Sequence, residues 1–477
     1  MSKLKNIIKQ LSIKDYQAIY DSLMNSNAEK SAYLLKFLRD RQLSDTKIMT
    51  ELEVNSNAYY TLRSRLNQKI EEYLLQQMES PRTSLIKKVA TVSDIIFTKK
   101  RTIAVTTLKK LEKELVDYDL SNELTIVYKS LKRLLINSPE DHFTYSQLYN
   151  KHVAYTLALD KSEDLLANYS NKYGEFLFSH DETLKLSLGL LRDELINVTK
   201  LYESHRLYVY ASFVNIWHHL FVDPDFVPEE NIEQTFEKIQ SIFDQYYLDA
   251  TYYHLIMVLE YLRFEYDFRT GDISKAGKYA EDQSESTATL ISNYQSYAFT
   301  PQFLLTYLNY NLANNKAGEL YDQLKGMFED YEVNKSNIPE YLLISVYKAL
   351  ACYYAGRYEE AAKLINTLLN DVSLKRLPLA HMEVKLLLAL QYASSKETDL
   401  YNQLMSSVQR QVRLIGKEKC VHVILFNKIM KAIMSGDRRE LTSKLNMLSG
   451  KLEDALPAYF TPLRYLKLKD TVPSLAK

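Results

Sequence analysis

The chain has 10 glycines and 10 prolines in 477 residues, several-fold fewer than an average protein of that length. Both residues punctuate turns, so a chain this poor in them has few turns and short ones. Sheet-rich folds need many turns and helices joined in hairpins need few, so an all-α fold is expected. Only two cysteines occur, Cys352 and Cys420. That number excludes a disulfide framework and a four-thiolate zinc site, and both are expected as small core residues. No uncharged run approaches the roughly 18 apolar residues of a membrane span. The N-terminal stretch Met1–Leu11 is charged throughout and lacks the apolar segment of a signal peptide. A cytoplasmic protein without membrane contact is expected. Metal-binding and catalytic signatures are also missing: there is no glycine-rich phosphate loop, no His-Glu-x-x-His pair and no nucleophile elbow. No cofactor is therefore expected, and the chain reads as non-enzymatic.

What is present is core material and charge. The hydrophobic fraction is 46% and the charged fraction 25%, enough for a folded chain whose length calls for two or more domains or one elongated array. Lys and Arg equal Asp and Glu at 60 each, yet residues 1–113 hold 21 basic against 12 acidic side chains. A basic head thus precedes an acidic body, an asymmetry that marks a nucleic-acid or acidic-partner contact, or a docking preference within the chain.

Apolar residues spaced three or four apart predict short helices over about 13–25, 28–39, 45–52 and 57–78, and Glu79-Ser80-Pro81 breaks the pattern. Asp223-Pro224 through Pro228 is a second breaker, either a boundary or a hairpin loop. The expected organisation is a helical head over 1–80, helical hairpins with a basic start over 81–228, and a repeat array over 229–477.

The repeat signal is a hexad. Gly271-Asp-Ile-Ser-Lys-Ala276 recurs as Gly356-Arg-Tyr-Glu-Glu-Ala361 and Gly436-Asp-Arg-Arg-Glu-Leu441, with weaker copies Asn315–Leu320 and Ser395–Leu400. The copies lie 39 to 44 residues apart. Gly or Asn can enter the left-handed region that closes one helix, a polar residue starts the next, and Ala or Leu packs where the two meet. Each hairpin has a face it cannot bury alone, so stacking is expected to give an α-solenoid with an extended groove.

Residues 349–369 resemble one tetratricopeptide repeat, with Ala349, Gly356, Tyr358 and Ala361 on that family's signature positions. The resemblance implies a right-handed α-solenoid that binds a protein or peptide partner. Phe264, Leu308, Leu388 and Ile429 stand where the family has a small residue, and the interval exceeds its 34 residues. With Leu11–Tyr16 and Asn57–Leu66, the whole chain also resembles an uncharacterised bacterial group with a short helical N-terminal region before a degenerate tetratricopeptide body, which implies no activity.

Ser44 through Ile70 is similar to the helix-turn-helix of sigma-factor region four. On that resemblance Ser44 caps a first helix, Leu52-Glu53-Val54-Asn55 forms the turn, and Ser56 caps a second helix that presents Arg63, Arg65 and Lys69 to DNA. The alternative is an ordinary pair of capped helices. Downstream, Arg82, Lys87, Lys88, Lys99, Lys100, Arg101, Lys109, Lys110 and Lys113 face only Asp94 and Glu112 in sequence. They make either a phosphate footprint or a solvated helix face. His218 and His219 project about 100° apart on a helix and are expected as core plus surface. Glu359 and Glu360 sit at a helix start, where the dipole favours them.

Two functions follow. The first is a scaffold that holds a peptide or protein in the groove, with Tyr347, Lys348 and Tyr354 as groove candidates. The second is a DNA-binding transcriptional regulator using Arg63, Arg65, Lys69, Lys87 and Lys88, with the array as sensor or recruitment domain.

Overall fold

A computed structural model of the chain describes residues 4, 8, 11, 13–26, 28–40, 45–77, 80–246, 249–272, 275–277, 298–328, 334–434 and 438–467. Among them the regular structure is helical, with no strand. Half of the ten prolines, Pro81, Pro139, Pro301, Pro339 and Pro378, lie in the first turn of α-helices. There the missing N–H costs no hydrogen bond and the fixed φ suits the helix. The scarce prolines thus start helices without interrupting them.

The chain divides into two compact units: Met1–Tyr118 with Leu248–Ala250, and Asp119–Tyr247 with Thr251–Lys477. The expected boundaries at 80 and 228 do not coincide with this division. Pro81 lies inside the first unit, and the 223–228 breaker is a loop inside the second.

In the first unit, α1 (Ile13–Asn25), α2 (Glu29–Asp40), α3 (Asp45–Glu51) and α4 (Ser56–Gln77) surround a core of Ile19, Leu23, Leu34, Leu35, Leu38, Ile48, Tyr59, Leu66 and Ile70. A basic helical hairpin follows. Its first arm is α5 (Pro81–Ala90) and α6 (Val92–Thr98), and its second is α7 (Arg101–Asp117). Leu85, Val89, Val92, Ala104, Leu108, Leu111 and Leu115 fill the seam. Arg82 donates to the Tyr118 carbonyl at 3.3 Å and pairs with the Asp249 carboxylate at 2.8 Å, tying in the short 248–250 stretch.

In the second unit, α8 (Ser121–Leu134) packs on the 41-residue α9 (Pro139–Ser179), which also carries α10 (Glu182–Leu201). Helices α11 (His205–Phe221), α12 (Ile232–Gln245) and α13 (Tyr253–Arg269) come next, then α14 (Pro301–Ala313) and α15 (Leu320–Met327). Three hairpins complete the chain: α16 (Ile338–Tyr354) with α17 (Tyr358–Asp371), α18 (Pro378–Ser394) with α19 (Thr398–Ile415), and α20 (Val421–Met434) with α21 (Arg438–Asp454).

Four helix junctions share one geometry. Gly271, Asn315, Lys396 and Gly356 have positive φ, at 84°, 58°, 62° and 72°. The next residue's N–H in each case bonds back five residues: Asp272 to Asp267, Lys316 to Asn311, Arg357 to Cys352 and Glu397 to Tyr392, at 2.8–2.9 Å. That is the Schellman closure, and it explains why the hexads open on Gly or Asn. In the copy at 395–400 the left-handed residue is Lys396, one place after the serine that opens the hexad in sequence. Gly436 lies outside the described residues. At the hexad's end Ala361 is fully buried. Ala361→Phe is expected to overpack the α16–α17 seam and cost about 1–3 kcal/mol in a urea melt.

Two histidines are buried as neutral groups. Burial pushes His152, assisted by Lys151, and His218, assisted by Arg192, down to about 4. Between that value and the unfolded pKa near 6.5 the unfolded chain binds protons that the folded chain refuses. Their contribution is complete above about pH 6.5 and is lost as pH falls towards 4. The melting temperature is therefore expected to drop between pH 6.5 and 4.5, and the double variant His152→Asn/His218→Asn should flatten that drop in a thermal scan.

Candidate interaction surfaces

The groove candidates Tyr347, Lys348 and Tyr354 lie on α16, and the chain itself covers the face that α16 forms with α14 and α18. Helix α9 packs against α16 and α18, and the Pro462–Tyr465 turn packs against all three first helices. Gly174 of α9 allows the close approach, since a Cβ there would stand 2.9 Å from the Phe299 ring and 3.1 Å from Pro339. The C-terminal stretch is held by hydrogen bonds along its length. Phe460 N–H donates to the Leu177 carbonyl at 2.8 Å, Tyr354 OH donates to the Tyr465 carbonyl at 2.6 Å, and Lys467 N–H returns to Tyr354 OH at 3.2 Å. Its rings interlock with the same wall, Phe460 lying edge-on to Phe178.

At the centre of this contact Glu383 is fully buried on α18. Its carboxylate accepts from His422 Nε2 at 2.7 Å, Thr461 Oγ1 at 2.6 Å and Tyr459 OH at 3.4 Å. One buried acid thus joins α18, α20 and the C-terminal stretch.

The three groove candidates are consequently not open. Tyr347 is sealed in the core, and burial raises its hydroxyl pKa far above the ordinary value. The Lys348 ammonium lies 4.1 Å from the centre of the Phe328 ring, and burial lowers its pKa. Tyr354 is engaged by the C-terminal stretch. The physical reason is composition: from Tyr341 to Tyr353 only Ser345 and Lys348 interrupt large or apolar residues, and a helix apolar all round is covered on two sides.

The cysteines are buried, and burial raises both thiols, Cys352 to about 11. His218 meets Tyr169 OH at 3.0 Å inside the core, while His219 Nδ1 meets the Phe226 carbonyl at 2.8 Å. Among the described residues no helix is long and apolar enough to cross a membrane.

The turn between α3 and α4 has the geometry of a closed helix end: Glu53 is left-handed at φ 49°, and Val54 N–H bonds back to Met49 at 3.1 Å. The cap of α4 is Asn55, whose Oδ1 accepts from Ala58 N–H at 2.9 Å. Ser56, the expected cap, is the first helical residue, and Ser44 lies outside the described residues.

Arg65 and Lys69 are exposed one turn apart on α4. Arg63 is half-buried, because two residues at 100° each carry it to nearly the opposite side from Arg65. The structure thus joins Arg65 and Lys69 but separates Arg63 from them. Together with Lys30 they line a cleft of about 570 Å³ against the α1–α2 turn.

Lys87 and Lys88 are exposed on α5, with Lys88 paired to Glu114 of α7 at 2.5 Å. Sequence singled out the rest of the cluster as a charge run. The structure adds its location: Lys99, Lys100 and Arg101 occupy the hairpin tip, and Lys109, Lys110 and Lys113 follow along α7, all exposed. Lys99, Lys100, Arg101, Lys110 and Lys113 enter no ion pair among the described residues. Phe97 at the same tip is 84% exposed. By contrast, the charges around a cleft of about 550 Å³ between α10 and α12 are internally matched: Tyr208 donates to Glu230 at 2.8 Å and Lys200 pairs with Glu229 at 3.0 Å.

No protein family, curated protein or solved structure matches this chain.

Proposed function

We propose that this chain is a non-enzymatic interaction protein, a TPR-like helical scaffold whose first unit engages a nucleic-acid backbone. One observation carries the reading: the exposed, unmatched cations Lys99, Lys100, Arg101, Lys110 and Lys113 share one short hairpin, while the first-helix face of the second unit is covered by its own chain. Cations without acidic partners can take phosphates at the cost of counterions alone, and such contacts are sequence-independent. The closed turn before α4, with Arg65 and Lys69 on its outer side, supports the helix-turn-helix resemblance. The Schellman junctions about 40 residues apart support the repeat reading.

The test is fluorescence anisotropy of a short labelled duplex with the full chain, repeated over rising salt. Binding is expected at low salt, with log affinity falling by about 0.9 per log unit of salt for each phosphate neutralised. Absence of binding at low salt would end the reading.

A second reading, a peptide scaffold, draws on the C-terminal stretch itself, since the first-helix face holds an extended segment by main-chain and side-chain hydrogen bonds. It requires that a synthetic peptide of residues 457–467 bind a chain lacking them, and failure of that peptide to bind removes it.

A further inference from the structure

The basic hairpin does not use the cleft on the other part of the first unit, where Leu23, Ser26, Ala28, Glu29, Lys30 and Ser31 face Leu62, Arg65, Gln68 and Lys69. Four features of that cleft converge on one ligand chemistry. Helix α2, of 12 residues, begins at its wall with the positive end of the helix dipole, and since Ser31 N–H bonds to the Ala28 carbonyl at 2.9 Å the amides left over are those of Glu29 and Lys30. The residue before the helix is Ala28, which has no side-chain oxygen to cap those amides as Ser, Asp or Asn would. Lys30 in the first turn and Arg65 and Lys69 on α4 put three cations around the opening, and among the described residues that line it the one acid is Glu29, which is exposed. Neither Lys30 nor Arg65 enters an ion pair among the described residues. Finally, Ser31 is 6% exposed and lines the cleft, yet its hydroxyl has no hydrogen-bond partner among the described residues. A serine in a helix ordinarily returns its hydroxyl to a carbonyl one turn back, as Ser130 and Ser162 do here. Ser31, on the wall of the cleft, makes no such bond among the described residues.

We infer that this cleft seats a phosphate group, with Arg65, Lys69 and Lys30 as its charge partners and the Ser31 hydroxyl and the first amides of α2 as its neutral donors. A tetrahedral dianion or diester uses all of these at once: the guanidinium can bind two of its oxygens, the ammonium groups act as point charges, and a helix N-terminus supplies oriented N–H groups. A carboxylate uses fewer of them, and a neutral ligand leaves Lys30 and Arg65 without a counter-charge among the described residues. The phosphate has two possible sources, a nucleic-acid backbone or a free phosphorylated small molecule. Only the first of these rests on the function proposed above.

The experiment uses the full chain and two probes, inorganic pyrophosphate by calorimetry at low ionic strength and the labelled duplex by anisotropy. The variants are Lys30→Ala, Ser31→Ala and Arg65→Ala, with Lys113→Ala on the hairpin as the control outside the cleft. Lys30 and Arg65 are exposed, so circular dichroism should be unchanged in both variants. Loss of about ten-fold or more in pyrophosphate affinity in Lys30→Ala and Arg65→Ala, with Lys113→Ala unaffected, establishes the cleft as a site for free phosphate. This holds even if duplex binding is absent. A comparable loss for the duplex alone, with the salt slope shallower by about 0.9 per cation removed, assigns the cleft to a backbone phosphate. Duplex binding that weakens in Lys113→Ala but is unchanged in the three cleft variants, with no pyrophosphate binding, overturns the cleft while leaving the hairpin reading intact. Failure of the unaltered chain to bind either probe overturns both.

Discussion

Replacing His422 with leucine is expected to lower the unfolding free energy by about 3–5 kcal/mol in a urea melt, the typical cost of removing one partner from a buried pair. His422 and Glu383 are both sealed from water, at 1% and 0% side-chain exposure. The substitution leaves the carboxylate with Thr461 and Tyr459 alone, and the Tyr459 hydroxyl at 3.4 Å is the weakest of its contacts. Two further variants separate this cause from simple loss of packing. In His422→Leu/Glu383→Met both polar groups are gone, and most of the lost stability should return, since an apolar replacement of a buried pair is close to neutral. Thr461→Val removes, at nearly constant shape, a hydroxyl that donates to Glu383 and accepts from Leu463 N–H, and should cost about 1–3 kcal/mol. Because Thr461 belongs to the C-terminal stretch, limited proteolysis should release that stretch first in both single variants. A His422→Leu protein that melts within about 1 kcal/mol of the unaltered chain, with its C-terminal stretch still protected, would show that the pair does not hold the face closed.

Much of the helical architecture is legible in the sequence for local reasons. The sparse glycine and proline, the apolar spacing of 13–25 and 57–78, and the Gly or Asn at three hexads each act over a few residues, and the structure has helices and left-handed closures at those places. Grouping Arg63 with Arg65 and Lys69 on one presented face overlooked their spacing, since residues two apart on a helix do not share a face. What is not legible depends on residues far apart in the chain. Glu383 meets His422 39 residues on and Thr461 78 residues on. Nothing in the local pattern of 457–467, which has no helical period, says that it returns to cover α16. The all-round apolar character of Tyr341–Tyr353 does signal two-sided burial, but it does not name the cover. Likewise the cleft beside Arg65 needs the α1–α2 turn to fold back on α4, which is what brings Ser31 to its wall. The hairpin cations lie between these extremes. Their charge excess is plain in the sequence, whereas their lack of acidic partners is a property of the fold.

Neutralising the hairpin tip in the triple variant Lys99→Gln/Lys100→Gln/Arg101→Gln is expected to have the largest effect on binding, a loss of duplex affinity of about 10²–10³-fold near 0.1 M salt. The magnitude follows from counterion release: each phosphate neutralised contributes a slope of about 0.9, worth nearly a factor of ten at that concentration, and the tip carries three cations. The salt dependence should become shallower by about 2.7 for the same reason. Stability should change by less than about 0.5 kcal/mol, because the three side chains are exposed and enter no ion pair among the described residues. Phe97 beside them offers a separate contact, a ring 84% exposed that can stack on an unpaired base but not on one inside a duplex. Phe97→Ala should therefore weaken single-strand binding more than duplex binding, whereas the triple variant weakens both. A control with Lys363, Lys417 and Lys419 changed to Gln removes the same formal charge from exposed positions of the second unit. If that control loses as much affinity as the tip variant, the attraction comes from net charge alone and the hairpin is not the contact surface. If neither variant changes the affinity or the salt slope, the phosphate-binding role of the hairpin fails.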